Sequence, residues 1–132
     1  MARLHLSLAR LARASAVHVG FAFVAMGGWA LFANRAHGDA AYLPALAQGA
    51  LSGAITLVLK KVLEAMSHRF SGWIAYILPP VITASVILAI LVAVHWLIGT
   101  PEIAATIAVP WSVSTLYAAI YSALLARGKH GH

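Results

Sequence analysis

Cysteine is absent from the 132-residue chain, which excludes disulfides, thiolate nucleophiles and cysteine metal sites. Acidic residues are scarce as well: three, against nine lysines and arginines. Asp39 falls in a loop, and Glu64 and Glu102 fall at predicted helix ends, so no carboxylate stands midway along an apolar stretch. Proton-coupled pumps and many ion transporters store their coupling in such a group. Small four-span multidrug transporters carry a glutamate in the first span, where this chain has only His18 near one end. Charged residues of both signs make up 9% of the chain and apolar residues 62%. Soluble domains run nearer ~25% and ~45–50%, and a chain this short has too little interior to hide the excess. The composition therefore predicts a polytopic membrane protein of one domain.

Four apolar stretches can be drawn, near 14–33, 44–63, 73–98 and 101–126, each close to the ~20 residues that a membrane crossing needs. The fold class they predict is all-α: an integral membrane four-helix bundle with both termini on one side. Residues 34–39 form a polar turn containing Gly38, and residues 66–72 a second polar connection ending in Gly72. The last connection is tight. Gly99 suits a helix C-cap, Thr100 an N-cap, Pro101 the first helical position and Glu102 the first turn.

The basic residues orient this layout. Arg3, Arg10 and Arg13 precede the first stretch, Lys60, Lys61 and Arg69 flank the second connection, and Arg127 and Lys129 follow the fourth stretch. Only Arg35 lies on the other side, so the positive-inside rule predicts that both termini are cytoplasmic, in a cell inner membrane. Trp29, Tyr42 and Trp96 near the outer ends, with Trp73 and Tyr76 near the inner, have the placing of interfacial aromatic belts. The formal charge of +6 then reads as topology beside anionic lipid, with no nucleic-acid partner implied. Residues 1–13 form a basic amphipathic segment, with leucines 4, 8 and 11 on one face, that could lie in the interface before the first span. Residues 127–132 read as a solvated cytoplasmic tail, in which His130 and His132 could at most hold a metal weakly.

The most pronounced pattern lies on the second stretch. Gln48, Ser52, Thr56, Lys60, Glu64 and His68 follow one another at four-residue steps, with Gly49 and Gly53 beside the first two. Polar groups at membrane depth need partners, and a glycine pair lets helices approach closely. The fourth stretch echoes it: Pro44 leads the first row, and Pro110 leads Ser114, Ala118, Ser122 and Ala126. The expectation is that spans two and four meet along these rows. Lys60, Lys61, His68 and Arg69 form a candidate site for an anionic head group, or alternatively snorkelling side chains at a helix end. His95 beside Trp96 reads as an interfacial histidine or a pH-sensitive ligand. Pro79, Pro80 and Pro110 mark kinks, or true helix starts with residues 70–78 as a separate interfacial helix.

No paired carboxylates, metal-ligand cluster, glycine-rich phosphate loop or nucleophile–base pattern occurs, so the sequence predicts no enzyme, no cofactor and no metal. In size and topology the layout resembles small four-span families with basic cytoplasmic ends, among them the GtrA-like proteins associated with moving lipid-linked sugars. The ends of the second and fourth spans read Leu-Lys-Lys and Ala-Arg-Gly, not the asparagine- and arginine-bearing signatures of that family, so the resemblance implies no site residues. The function expected is a membrane subunit, anchor or scaffold of a larger assembly, partnered by the lipid bilayer and by further copies or another membrane subunit. The alternatives are a transporter or flippase component for an amphipathic or lipid-linked substrate, and a subunit whose catalytic residues lie on another chain.

Overall fold

The computed structural model describes residues 2–130 and places four helices in sequence: α1 (Ala2–Ala33), α2 (Tyr42–Ser67), α3 (Ile74–Leu97) and α4 (Ile103–His130). A 3₁₀ segment, Arg35–Ala41, joins the first two. All four helices are long and apolar enough to cross a membrane. The first and third connections lie together at one end of the bundle, here the loop end. The second connection lies with the two chain ends at the other, here the terminal end.

The connections follow local chemistry. At the loop end, Gly99 takes a left-handed φ of 74°. Its N–H donates to the Trp96 carbonyl, and the Thr100 N–H donates to the His95 carbonyl. This is the paired arrangement that closes helices with a glycine just past the end. Gly38 and Gly72, with φ of 61° and 66°, turn the other two connections.

Two prior expectations change here. α1 is one unbroken helix from Ala2, so the basic N-terminal segment is the start of the first rod and has no break before the apolar part. α4 likewise continues to His130, so residues 127–130 are helical where a loose tail was expected, while His132 lies outside the described residues. The prolines also resolve. Pro79 and Pro80 sit inside α3 and Pro110 inside α4, with each helix continuous through them. Phe70 is not helical, so no separate 70–78 helix exists. Both prolines of α3 are buried, and Thr83 Oγ1 donates to the carbonyls of Pro79 at 2.9 Å and Pro80 at 3.3 Å.

The core belongs to three helices. Leu59 and Leu63 of α2, Ile87 and Leu91 of α3, and Ile107 and Ala118 of α4 form one buried cluster. α1 supplies none of it and docks on the flank of α2. Val19, Phe23 and Gly27 on α1 meet Ala45, Gly49 and Gly53 on α2, a four-residue row against a four-residue row. Such rows interdigitate as ridges into grooves. A Cβ on Gly27 would stand 2.9 Å from the Ala45 carbonyl oxygen, and one on Gly49 would stand 3.0 Å from that of Phe23. The two backbones therefore touch, and only glycine permits it.

Candidate functional site

The glycine pair of α2 faces α1, not α4. This corrects the expected partner, and the reason is angular. Adjacent residues stand about 100° apart around a helix of 3.6 residues per turn, so residue i+1 of each step faces a different neighbour from residue i, and each four-residue step turns the row by about a further 40°. Gly49 and Gly53 meet α1, while Gln48 and Ser52 turn inward. By Thr56 and Lys60 the row has rotated out to the exposed surface. The α4 row behaves differently: Pro110, Ser114, Ala118, Ser122 and Ala126 are all buried. Helices α2 and α4 do meet, through Ala118 against the leucines of α2 and through Tyr121, whose hydroxyl donates to Glu64 Oε1 at 2.8 Å. The Ser114 hydroxyl donates to the Trp111 carbonyl, and the Ser122 hydroxyl is buried with no partner among the described residues.

Two polar networks hold the loop end, and both centre on residues unique in the chain. Its only glutamine, Gln48, is fully buried and joins α2 to α3. The Gln48 amide nitrogen donates to Ser52 Oγ at 2.9 Å, leaving Oε1 to accept from His95 Nε2 at 2.8 Å. On the other side of the ring, His95 Nδ1 lies 2.7 Å from Thr100 Oγ1. A neutral imidazole with its proton on Nε2 completes the chain, with the threonine hydroxyl donating to Nδ1. Two expectations give way. His95 is fully buried, not interfacial, and Thr100 serves the histidine instead of capping α4. The Thr56 hydroxyl extends the row along α2 by donating to the Ser52 carbonyl.

The only asparagine, Asn34, is the second centre, and its place in a polar turn gave no hint of that role. It too is fully buried. Its Nδ2 donates to the Ala30 carbonyl at 2.8 Å and to Thr106 Oγ1 at 2.7 Å, and its Oδ1 accepts from the Glu102 backbone N–H at 2.9 Å. A side chain at the end of α1 thus caps the start of α4, the task assigned by pattern to Thr100. Trp29 Nε1 reinforces the joint by donating to the Ala105 carbonyl at 2.8 Å. Above it, His37 Nε2 and Glu102 Oε1 lie 3.1 Å apart with both side chains exposed. Such surface pairs contribute about 0–1 kcal/mol. The composition held one usable signal for all this: in an apolar chain with a single asparagine and a single glutamine, each amide needs partners on a neighbouring helix.

The head-group candidates lie at the terminal end. Lys60, Lys61, His68 and Arg69 are exposed, and Lys60 Nζ stands 3.9 Å from Glu64 Oε1. The fold adds a residue from far along the chain, since Lys129 Nζ donates to the Phe70 carbonyl at 3.1 Å. Among the described residues, no group of three or more His, Asp or Glu side chains is placed to hold a metal ion. The chain matches no protein-family model, no curated protein and no solved structure.

Proposed function

We propose that this protein is a small inner-membrane subunit, anchor or scaffold that works within a larger assembly, as further copies or beside another membrane protein. One observation carries the reading: α1 packs along only part of its length. Residues 7–18 are exposed without interruption. In the apolar part of α1 11% of residues are buried, against 28–33% in the other helices. The helix is also longer than a bilayer requires. Its 32 residues reach about 48 Å at 1.5 Å per residue, against a hydrocarbon core of about 30 Å. A rod held at one end and bare at the other offers a surface for another chain. The inward polar groups support the same reading, because they close on partners within the bundle: Gln48 on Ser52 and His95, and Asn34 on Thr106.

The chain's lack of cysteine makes the test direct, since each introduced thiol is unique. Val17→Cys on the bare part of α1 is expected to cross-link to another chain in native membranes several times more efficiently than Val92→Cys, which is exposed on α3. Equal yields from the two positions would remove the case for α1 as the docking helix.

We also propose the orientation N-in and C-in, with both termini cytoplasmic. Eight of the nine lysines and arginines lie toward the terminal end and only Arg35 toward the loop end, which supports it. In intact cells an impermeant thiol reagent should label Asp39→Cys and spare Gly128→Cys until the membrane is opened; the reverse labelling would invert the topology. A third part of the proposal is that Pro79–Pro80 and Pro110 bend α3 and α4. Proline removes a backbone donor, and back-bonding hydroxyls such as that of Thr83 often accompany bent helices.

A further inference from the structure

Between α2 and α3 the bundle is open along an apolar groove of about 390 Å³. Its walls include Val58, Val62 and Met66 from α2 and Ile82, Val86 and Ile90 from α3. From Leu51 to Met66 the α2 wall runs about 22 Å at 1.5 Å per residue. The one hydroxyl in the lining, on Thr83, already donates to the Pro79 and Pro80 carbonyls. The groove therefore offers no free polar group, and its volume falls within the ~300–1,000 Å³ typical of small-molecule sites.

A partner helix fits it poorly. Helices that associate in membranes use small residues to bring backbones together, as Gly27 and Gly49 do on the opposite flank of α2. Here Ala54 and Thr83 are the only small lining residues among leucines, valines, isoleucines and a methionine. A helix with side chains, about 10–12 Å across, would ride over such a wall without entering.

What stands beyond Met66, the last lining residue of α2, decides the occupant. Arg69 follows Met66 by three residues, and its N–H donates to the Met66 carbonyl at 3.0 Å, so the chain is still turning just past the groove. Lys61 directly precedes the lining residue Val62. Both cations are exposed, and neither has an acidic partner among the described residues. Glu64, the nearby carboxylate, is engaged by Tyr121 and Lys60. Lys129, tied to the Phe70 carbonyl, adds a third cation over the same connection.

We infer that the α2–α3 groove holds an acyl chain of an acidic phospholipid, with the phosphate at the terminal end against Arg69 and Lys61. The apolar walls select a flexible chain, and the unpaired cations select the negative head group. The inference does not depend on the assembly reading, which concerns α1, and the two fail separately.

The test is native mass spectrometry of the full chain released from nanodiscs of equal parts phosphatidylglycerol and phosphatidylcholine. Wild type should keep one lipid, with the acidic one enriched about fivefold to thirtyfold, as expected from about one to two basic contacts. Arg69→Gln with Lys61→Gln should abolish the enrichment while a lipid is still retained. Val86→Trp, at a half-exposed position in the wall, should lose the lipid altogether while circular dichroism stays unchanged. Equal retention of the two lipids by wild type would overturn the inference. So would an adduct indifferent to Val86→Trp, or a dimer mass that Val86→Trp abolishes.

Discussion

Gly27→Leu is expected to lower the thermal unfolding midpoint in detergent by roughly 5–15 °C, the range that ~1–3 kcal/mol of overpacking gives in a small domain. The argument rests on what surrounds the position. A Cβ there would lie 2.9 Å from the Ala45 carbonyl oxygen and 3.5 Å from Gly49 Cα. Both are backbone atoms and cannot rotate away, so α1 and α2 must separate. Gly49 is next in severity: its Cβ would approach both the backbone and the ring of Phe23 at 3.0–3.1 Å. Gly53 is milder, because its nearest neighbour at 3.1 Å is a methyl of Val19, and Gly53→Leu should cost less than Gly27→Leu. Gly28 is the internal control, with nothing within 4 Å of its would-be Cβ. Gly28→Leu should leave the midpoint unchanged or raise it, since glycine costs a helix about 0.5–1 kcal/mol relative to alanine. If Gly27→Leu and Gly28→Leu melt alike, the two helices are not in backbone contact.

That seam shows where sequence reasoning reached and where it stopped. The number of helices and the turn at Gly99 were legible, because each depends on residues close in the chain: apolar run length and a glycine after the last turn. The start of α1 was not, and Pro101, expected at the first helical position, stands in the turn before α4. Which helix Gly49 and Gly53 face was not legible. Their partners Val19, Phe23 and Gly27 do not form a small-residue motif, and only the docked fold reveals that row as complementary. His95 was misplaced for a similar reason. Nothing within one turn of it distinguishes an interfacial histidine from a buried one, and the group that settles the matter, Gln48, lies 47 residues away. The basic rim was legible as a cluster, yet the groove beneath it was not, since a groove is a property of two helices failing to close.

The Gln48–His95 pair gives the second large expectation. His95→Leu removes a ring bonded on both sides and strands Gln48 Oε1 and Thr100 Oγ1 in a buried site. Each stranded group costs about 1–3 kcal/mol by soluble-protein precedent. Polar contacts between membrane helices average nearer ~0.6 kcal/mol, so a total of about 1–3 kcal/mol is expected for the single change. Gln48→Leu should cost a similar amount, leaving the His95 Nε2–H unpaired and releasing Ser52. The double change leaves neither partner stranded by the other, so its cost should fall short of the sum of the two by at least ~0.5 kcal/mol. Unfolding free energies of the four proteins in one detergent measure that difference. A sum that adds to within ~0.3 kcal/mol would mean the two side chains do not hold each other. The same set of proteins bears on the transport alternative: if Gln48 faced a water-filled passage, its loss would leave nothing desolvated and unpaired, and His95→Leu would not ease it. A clear shortfall in the double variant is what a dry joint between α2 and α3 requires, and it would assign the upper part of the polar row to holding helices together.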